Sequence, residues 1–199
     1  MNLPNKLTIF RILLVPIMVI IPMLNISEEL WGIPLTYLII DFIFIIASIT
    51  DKLDGDIARS RNQITNFGKF LDPIADKILV LSAMIILVEL GRLPSWIPIV
   101  ILFREFVVSG YRLVEASNGG KVIAASIWGK LKTVTQMIAI IFAFLNTGSL
   151  FECFFGQMKG AGLVFNLIES IMMIICVIAT CFSGWDYLKN GKDLILKDK

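Results

Sequence analysis

Residues 33–50 read IPLTYLIIDFIFIIASIT, 18 residues in which Asp41 is the sole charge. A helix crosses a bilayer in about 17–25 apolar residues, so this run is long enough to span. Comparable runs occupy residues 7–24, 70–90, 95–114, 126–146 and 162–188. The 199-residue chain is 57% hydrophobic, against about 45–50% for a soluble domain. Open strands cannot satisfy their backbone in lipid, so the runs are read as helices. The expected fold is an all-α integral membrane protein: a six-transmembrane-helix bundle forming a single domain over residues 1–199.

Charge distribution sets the expected topology. The connections are 25–32, 51–69, 91–94, 115–125 and 147–161. An even number of spans puts both termini on one side. Of the 18 Lys and Arg residues, 15 fall on that side or in its flanking turns, Arg92 and Lys159 fall opposite, and Arg104 lies within a span. This bias predicts cytoplasmic N- and C-termini in a multi-pass protein of the cell membrane. The net charge of +2 is too small to suggest a nucleic-acid partner. Residues 7–24 lack a small-residue cleavage site, so they are expected to remain as a span. Histidine is absent, which removes imidazole as a base and makes zinc, copper or haem ligation implausible. Cys153, Cys176 and Cys181 have no zinc-like or redox spacing and, with apolar neighbours, read as buried thiols.

The chemistry concentrates between Asp51 and Asp76. Asp51 and Asp54 are three apart and Asp72 and Asp76 four apart, so on helices each pair faces one way. The first pair sits where the second span leaves the membrane, and the second where the third span enters it. A short connection makes these spans antiparallel neighbours, which brings four carboxylates to one depth. They repel unless cations intervene. Oxygen ligands without nitrogen or sulfur favour Mg²⁺ or Mn²⁺, with Ca²⁺ a possible substitute. Two ions would suit attack at phosphorus. Gly55, Ala58 and Gly68 would admit a ligand close to the backbone, and Arg59 could clamp a phosphate. The competing reading is a charged surface loop whose acids pair with Lys52, Arg59, Arg61 and Lys77.

Two further features stand outside the cluster. Residues 2–11 read either as an interfacial helix start with a snorkelling Arg11 or as ligand contacts, with Asn5 a possible N-cap. Asp41, Arg104 and Glu105 lie inside spans, where charges are expensive and usually paired. Asp41 is ten residues before Asp51 and Arg104 ten before Val114, about 15 Å below their helix ends. An Asp41–Arg104 pair is the expectation, with Glu105 as the competing partner.

The segment D-x2-D-G-x2-A-R-x8-G-x3-D-x3-D, from Asp51 to Asp76, resembles the signature of the CDP-alcohol phosphotransferases at all eight defined positions. The blocks Asn2–Arg11, Arg104–Arg112 and Ser126–Gln136 look like those of the bacterial phosphatidylglycerophosphate synthases within that family. The resemblance runs to about Phe144 and resumes weakly around Ser183–Tyr187.

The resemblance implies an active site near the cytoplasmic surface, two divalent cations (Mg²⁺ or Mn²⁺) and a homodimer. It implies a phosphatidyltransferase that joins CDP-diacylglycerol to sn-glycerol 3-phosphate, giving phosphatidylglycerophosphate and CMP. Asp51, Asp54 and Asp72 would hold metal, while Asp76 would hold metal and act as catalytic base. Asn5, Thr8, Asp54, Gly55, Ala58, Arg59 and Gly68 would meet the CDP-lipid. Arg112, Lys130 and Lys132 would meet the acceptor phosphate, although positive-inside topology alone accounts for such residues. Another acceptor within the family (a cardiolipin, inositol-phosphate or serine lipid synthase) stays open, as does a divalent-cation transporter. Transport sites tend to lie near the bilayer midplane, whereas these acids sit at a helix mouth.

Overall fold

The computed structural model describes residues 2–24, 26–60, 66–117, 127–156 and 158–195, without the side chains of Lys52, Asp56, Ala58, Arg59 and several residues beside the omitted stretches. Among the described residues there are six long α-helices: α1 (Leu3–Ile20), α2 (Leu35–Ser60), α3 (Asn66–Glu89), α4 (Trp96–Ser117), α5 (Ile127–Leu145) and α6 (Ala161–Ile195). Strands β1 (Glu29–Leu30) and β2 (Ile33–Pro34) pair antiparallel between α1 and α2. Trp31 and Gly32 turn that hairpin at φ 54° and 75°, the positive values that a tight two-residue turn requires.

Local sequence explains the helix ends. Helix α1 starts at Leu3 with Asn2 as N-cap, so Asn5 lies inside the first turn and is not the cap. Pro4 favours this start, because its fixed φ suits a first turn that needs no N–H. Helix α3 ends at Gly91, φ 70°, where the Arg92 N–H bonds Leu87 O at 2.9 Å and the Gly91 N–H bonds Val88 O at 3.0 Å. The second helix does not stop at Thr50. It continues to Ser60, so much of the expected 51–69 connection is helical. That extension holds weak helix formers in Gly55 and three aspartates, so packing on α1 helps to keep it helical. Its 26 residues span about 39 Å, more than the roughly 30 Å of hydrocarbon, which carries Asp51 and Asp54 to the mouth of the bundle.

Helices α1 and α6 turn polar residues inward and large aliphatic ones outward. Helix α1 buries Asn5, Thr8, Arg11, Val15 and Met18 on one stripe and exposes Phe10, Leu13, Ile17 and Ile20. Helix α6 buries Asn166, Glu169, Ser170, Thr180 and Ser183 while exposing Leu167, Ile171, Ile174, Ile178 and Phe182. Polar groups inside and aliphatic groups outside is the arrangement that lipid selects. Among the described residues three helices are long and apolar enough to cross a membrane: Leu3–Leu24, Ile127–Leu145 and Ala161–Tyr187. The chain is a membrane protein. Helices α2, α3 and α4 carry the site's charges in their sequences and fall outside that set.

Helix α1 packs on α2 and α3, and α6 packs on α5 and α4. Ala47, Ala83, Ala139, Ala143 and Ala179 are all at most 1% exposed, so the helices approach closely around Phe44, Phe144 and Met173. At the end remote from Asp72, Asn146 Nδ2 donates to Glu169 Oε2 at 2.8 Å and the Leu150 N–H to Arg92 O at 2.9 Å. Arg92 also stacks over Tyr37, 4.4 Å from the ring centroid. These contacts tie the 147–161 connection, which has no motif, to the α3–α4 turn. An Ala143→Leu substitution is expected to overpack this core by about 1–3 kcal/mol, lowering Tm in detergent micelles.

Candidate active site

Three helices deliver the carboxylate cluster. Arg11 on α1 reaches α2, with Nη1 2.6 Å from Asp51 Oδ1 and Nη2 donating to Asp54 Oδ2 at 2.5 Å. Its side chain is fully buried. One turn earlier, Thr8 Oγ1 donates to Asp72 Oδ1 on α3 at 2.7 Å and lies 3.4 Å from Asp54 Oδ2. Asp51, Asp54 and Asp72 are thus gathered around one face of α1. Asp76, a turn along α3, feels the charges of Asp51 and Arg11 on one side and of Lys132 and Glu105 on the other.

The cluster carries excess negative charge. Burial raises the Asp54 carboxyl to about 6; Arg11 pulls it down, while Asp51 and Asp72 push it up. Asp51, just past the apolar run of α2, is raised by burial, with Arg11 again opposing and Asp72 adding. One guanidinium against four carboxylates leaves room for more positive charge. The donors are all hard oxygens and no histidine exists to compete. This donor set fits Mg²⁺ or Mn²⁺. Among the described residues, however, no three acids stand in ligating geometry as placed, because Arg11 and Thr8 hold the oxygens.

Beyond Asp76 a cavity of about 210 Å³ opens between α3, α4 and α5. Its charged walls are Asp76, Lys77, Arg104, Glu105, Arg112 and Lys132, and its floor includes Val80, Met84 and Ile101. Four cations against two anions leave it with a charge of +2. Glu105 organises the cations: Oε1 accepts from Arg104 Nη1 at 2.8 Å and Lys132 Nζ at 2.9 Å, and Oε2 lies 4.0 Å from Lys77 Nζ. Lys77 Nζ donates to Ser109 Oγ at 2.5 Å. Arg112 donates to the Tyr187 hydroxyl at 2.6 Å, and Arg104 donates to Ser183 Oγ. The α6 segment at Ser183–Tyr187 therefore props both arginines.

The structure brings together most of the residues singled out in the sequence. Asp51, Asp54, Asp72 and Thr8 form one cluster and Asp76 joins it to the cavity. Arg112 and Lys132 line that cavity; Lys130 is exposed and does not. Asn5 and Gly68 are buried, and Gly55 is half-buried. The side chains of Ala58 and Arg59 lie outside the described residues, as do residues 61–65 with Arg61. The expected Asp41–Arg104 pair is corrected. Arg104 takes Glu105 and Ser183, and Asp41 Oδ1 has no hydrogen-bond partner among the described residues. Equal depth fixed their height but not their angle about the helix axes. Arg11 was missed as a site residue. An Arg one turn from Thr8, inside an otherwise apolar span, is the signal that the sequence carries.

Comparison with known proteins places the chain in a family. The family model for CDP-alcohol phosphatidyltransferases matches residues 1–182. The chain belongs to that family. The segment Asp51–Asp76, which resembles that family's signature, lies within the matched residues and carries the two acid pairs of α2 and α3. Among curated relatives, a CDP-diacylglycerol–glycerol-3-phosphate 3-phosphatidyltransferase of Bacillus subtilis is 43% identical, over 96% of this chain and 95% of its own. One of the same name from Rickettsia typhi is 36% identical, over 96% of this chain and 97% of its own. A probable phosphatidylglycerophosphate synthase of Mycobacterium tuberculosis is 35% identical, over 96% of this chain and 81% of its own.

Thr8→Val keeps the shape and removes the bond to Asp72. Such a bond to a charged acceptor is worth about 1.5–3 kcal/mol. The variant is expected to unfold earlier than wild type in an SDS titration of mixed micelles.

Proposed function

We propose that this chain is a phosphatidylglycerophosphate synthase: it transfers the phosphatidyl group from CDP-diacylglycerol to sn-glycerol 3-phosphate. The observation that carries this reading is that Asp76 belongs at once to the carboxylate cluster and to a cavity of net charge +2. A cluster of acids suits a metal-bound pyrophosphate. The cationic cavity suits an acceptor that brings its own dianionic phosphate, which serine does not. Relatives named for this reaction, at 35–43% identity over 81–97% of their own length, support the same acceptor.

In the proposed reaction a primary hydroxyl of glycerol 3-phosphate attacks the phosphorus that bears the diacylglycerol. The new P–O bond forms as the phosphoanhydride bond to CMP breaks, and the hydroxyl proton passes to Asp76. Two divalent ions, Mg²⁺ or Mn²⁺, held by Asp51, Asp54, Asp72 and Asp76, would supply charge stabilisation at the pyrophosphate. A carboxylate with a reference pKa near ~3.9 is a weak base for an alcohol, so positioning of the nucleophile carries much of the rate. Arg112 and Lys132 would hold the acceptor phosphate, and Glu105 would fix Lys132 and Arg104 in place. Asn5, Thr8, Gly55, Ala58, Arg59 and Gly68 would lie along the CDP moiety. We further read the chain as a single domain of six spans with both ends cytoplasmic, acting as a homodimer in the cell membrane. The 15-to-2 partition of basic residues supports that orientation.

The deciding experiment offers purified protein CDP-diacylglycerol, Mg²⁺ and a panel of glycerol 3-phosphate, serine, inositol phosphate and phosphatidylglycerol. CMP release is expected with glycerol 3-phosphate and lost in EDTA; release confined to another acceptor refutes the assignment. Asp76→Asn should lower kcat by at least about 100-fold while CDP-lipid binding stays measurable. Arg112→Ala should raise the KM for glycerol 3-phosphate roughly tenfold or more, the equivalent of one charge-assisted bond. An unchanged KM would remove Arg112 from the acceptor pocket.

A further inference from the structure

Arg11 stands out as a fully buried cation that no part of the proposed reaction uses. It enters from α1, a helix that contributes no carboxylate to the cluster, and spans the two acids of α2. Its two contacts, 2.6 Å to Asp51 and 2.5 Å to Asp54, go to residues three apart on one helix face, whose charges repel one another. Its Nε has no hydrogen-bond partner among the described residues. Charge therefore holds this guanidinium more than a complete set of donor bonds does. Asp54 is as buried as Arg11's own environment demands, with a side chain 4% exposed, whereas Asp51 keeps 33% of its side chain open. An ion arriving from the open side meets Asp51 first and Arg11 behind it.

We propose that Arg11 is the resident counter-ion of the carboxylate cluster, a positioning residue that holds Asp51 and Asp54 together from α1 and whose contribution shrinks when divalent cations bind. The inference rests on the reading of these aspartates as metal ligands. Without metal, Arg11 is the cation that offsets their repulsion, and its removal leaves buried acids uncompensated. With metal, the bound ions offset the same charge, so less depends on Arg11. By linkage, the variant that loses more stability without metal must also bind metal more tightly. A guanidinium suits the role better than an ammonium, because its fork reaches two carboxylates at once.

The test is thermal unfolding in detergent of wild type, Arg11→Met and Arg11→Lys, each in EDTA and in saturating Mn²⁺. Arg11→Met is expected to lower Tm in EDTA, with at least half of that loss recovered in Mn²⁺. Its Mn²⁺ titration, followed by electron paramagnetic resonance, is expected to show binding several-fold tighter than wild type. Arg11→Lys keeps the charge but not the fork and is expected to fall between; it carries the comparison if Arg11→Met does not fold. Equal Tm losses in EDTA and Mn²⁺, or weaker Mn²⁺ binding, mean that Arg11 is a packing residue and overturn the proposal. A wild-type Tm that ignores Mn²⁺ overturns the metal reading itself and the proposal with it, a different and separately visible result.

Discussion

A guanidinium enclosed by an apolar bundle must find carboxylates, and the structure is organised around that requirement. Arg11 pins α1 to α2, and Thr8 one turn away pins α1 to α3. In lipid, apolar side chains gain little by touching one another rather than acyl chains. Polar contacts and close packing of small residues must then decide which helices meet. The first three helices converge through Arg11, Thr8 and their three aspartates. The last three converge through Glu105, Arg104, Lys132 and the hydroxyls of Ser183 and Tyr187. Asp76 borders both sets.

That arrangement separates two electrostatic compartments. On the α1–α2–α3 side anions outnumber cations, which suits metal and a pyrophosphate. On the α3–α4–α5 side cations outnumber anions, which suits a free phosphate. The two substrates differ in the same sense: one presents its reactive phosphorus within a nucleotide anhydride, the other brings a phosphate that must not react. In the proposed reaction, Asp76 on the boundary would take the proton of the hydroxyl that joins them. Glu105 has a distinct part, since one carboxylate oxygen fixes two cations whose mutual repulsion would otherwise splay the pocket.

The helices of the site carry their charges at a cost that the ends of the bundle help to offset. Helix α2 runs on past the apolar segment for two to three turns, so Asp51 and Asp54 lie beyond the apolar run, Asp51 partly open and Asp54 buried against Arg11. At the remote end Asn146 donates to Glu169, and Asn166 bonds the loop backbone at Ser149 and Cys153, closing the bundle without a sequence motif. Such a network is invisible to pattern reading, because Asn and Glu at those positions have no characteristic spacing.

Apolar run length and alternating charge were enough, from the sequence alone, to determine a helical membrane protein, and the three-and-four spacing of the acids placed a charged cluster at the α2–α3 mouth. These are properties of single helices, set by rise per residue and by the solvent. The tertiary structure alone decided which partner each charge took. Arg11 looked like a snorkelling residue and proved to be the buried partner of Asp51 and Asp54. Arg104 turned to Glu105 and Ser183 and not to Asp41, and Lys130 stayed outside the cavity that Lys132 enters. Partner choice depends on the rotation of each helix about its axis. That rotation follows from packing between helices distant in sequence, which no spacing within one helix encodes.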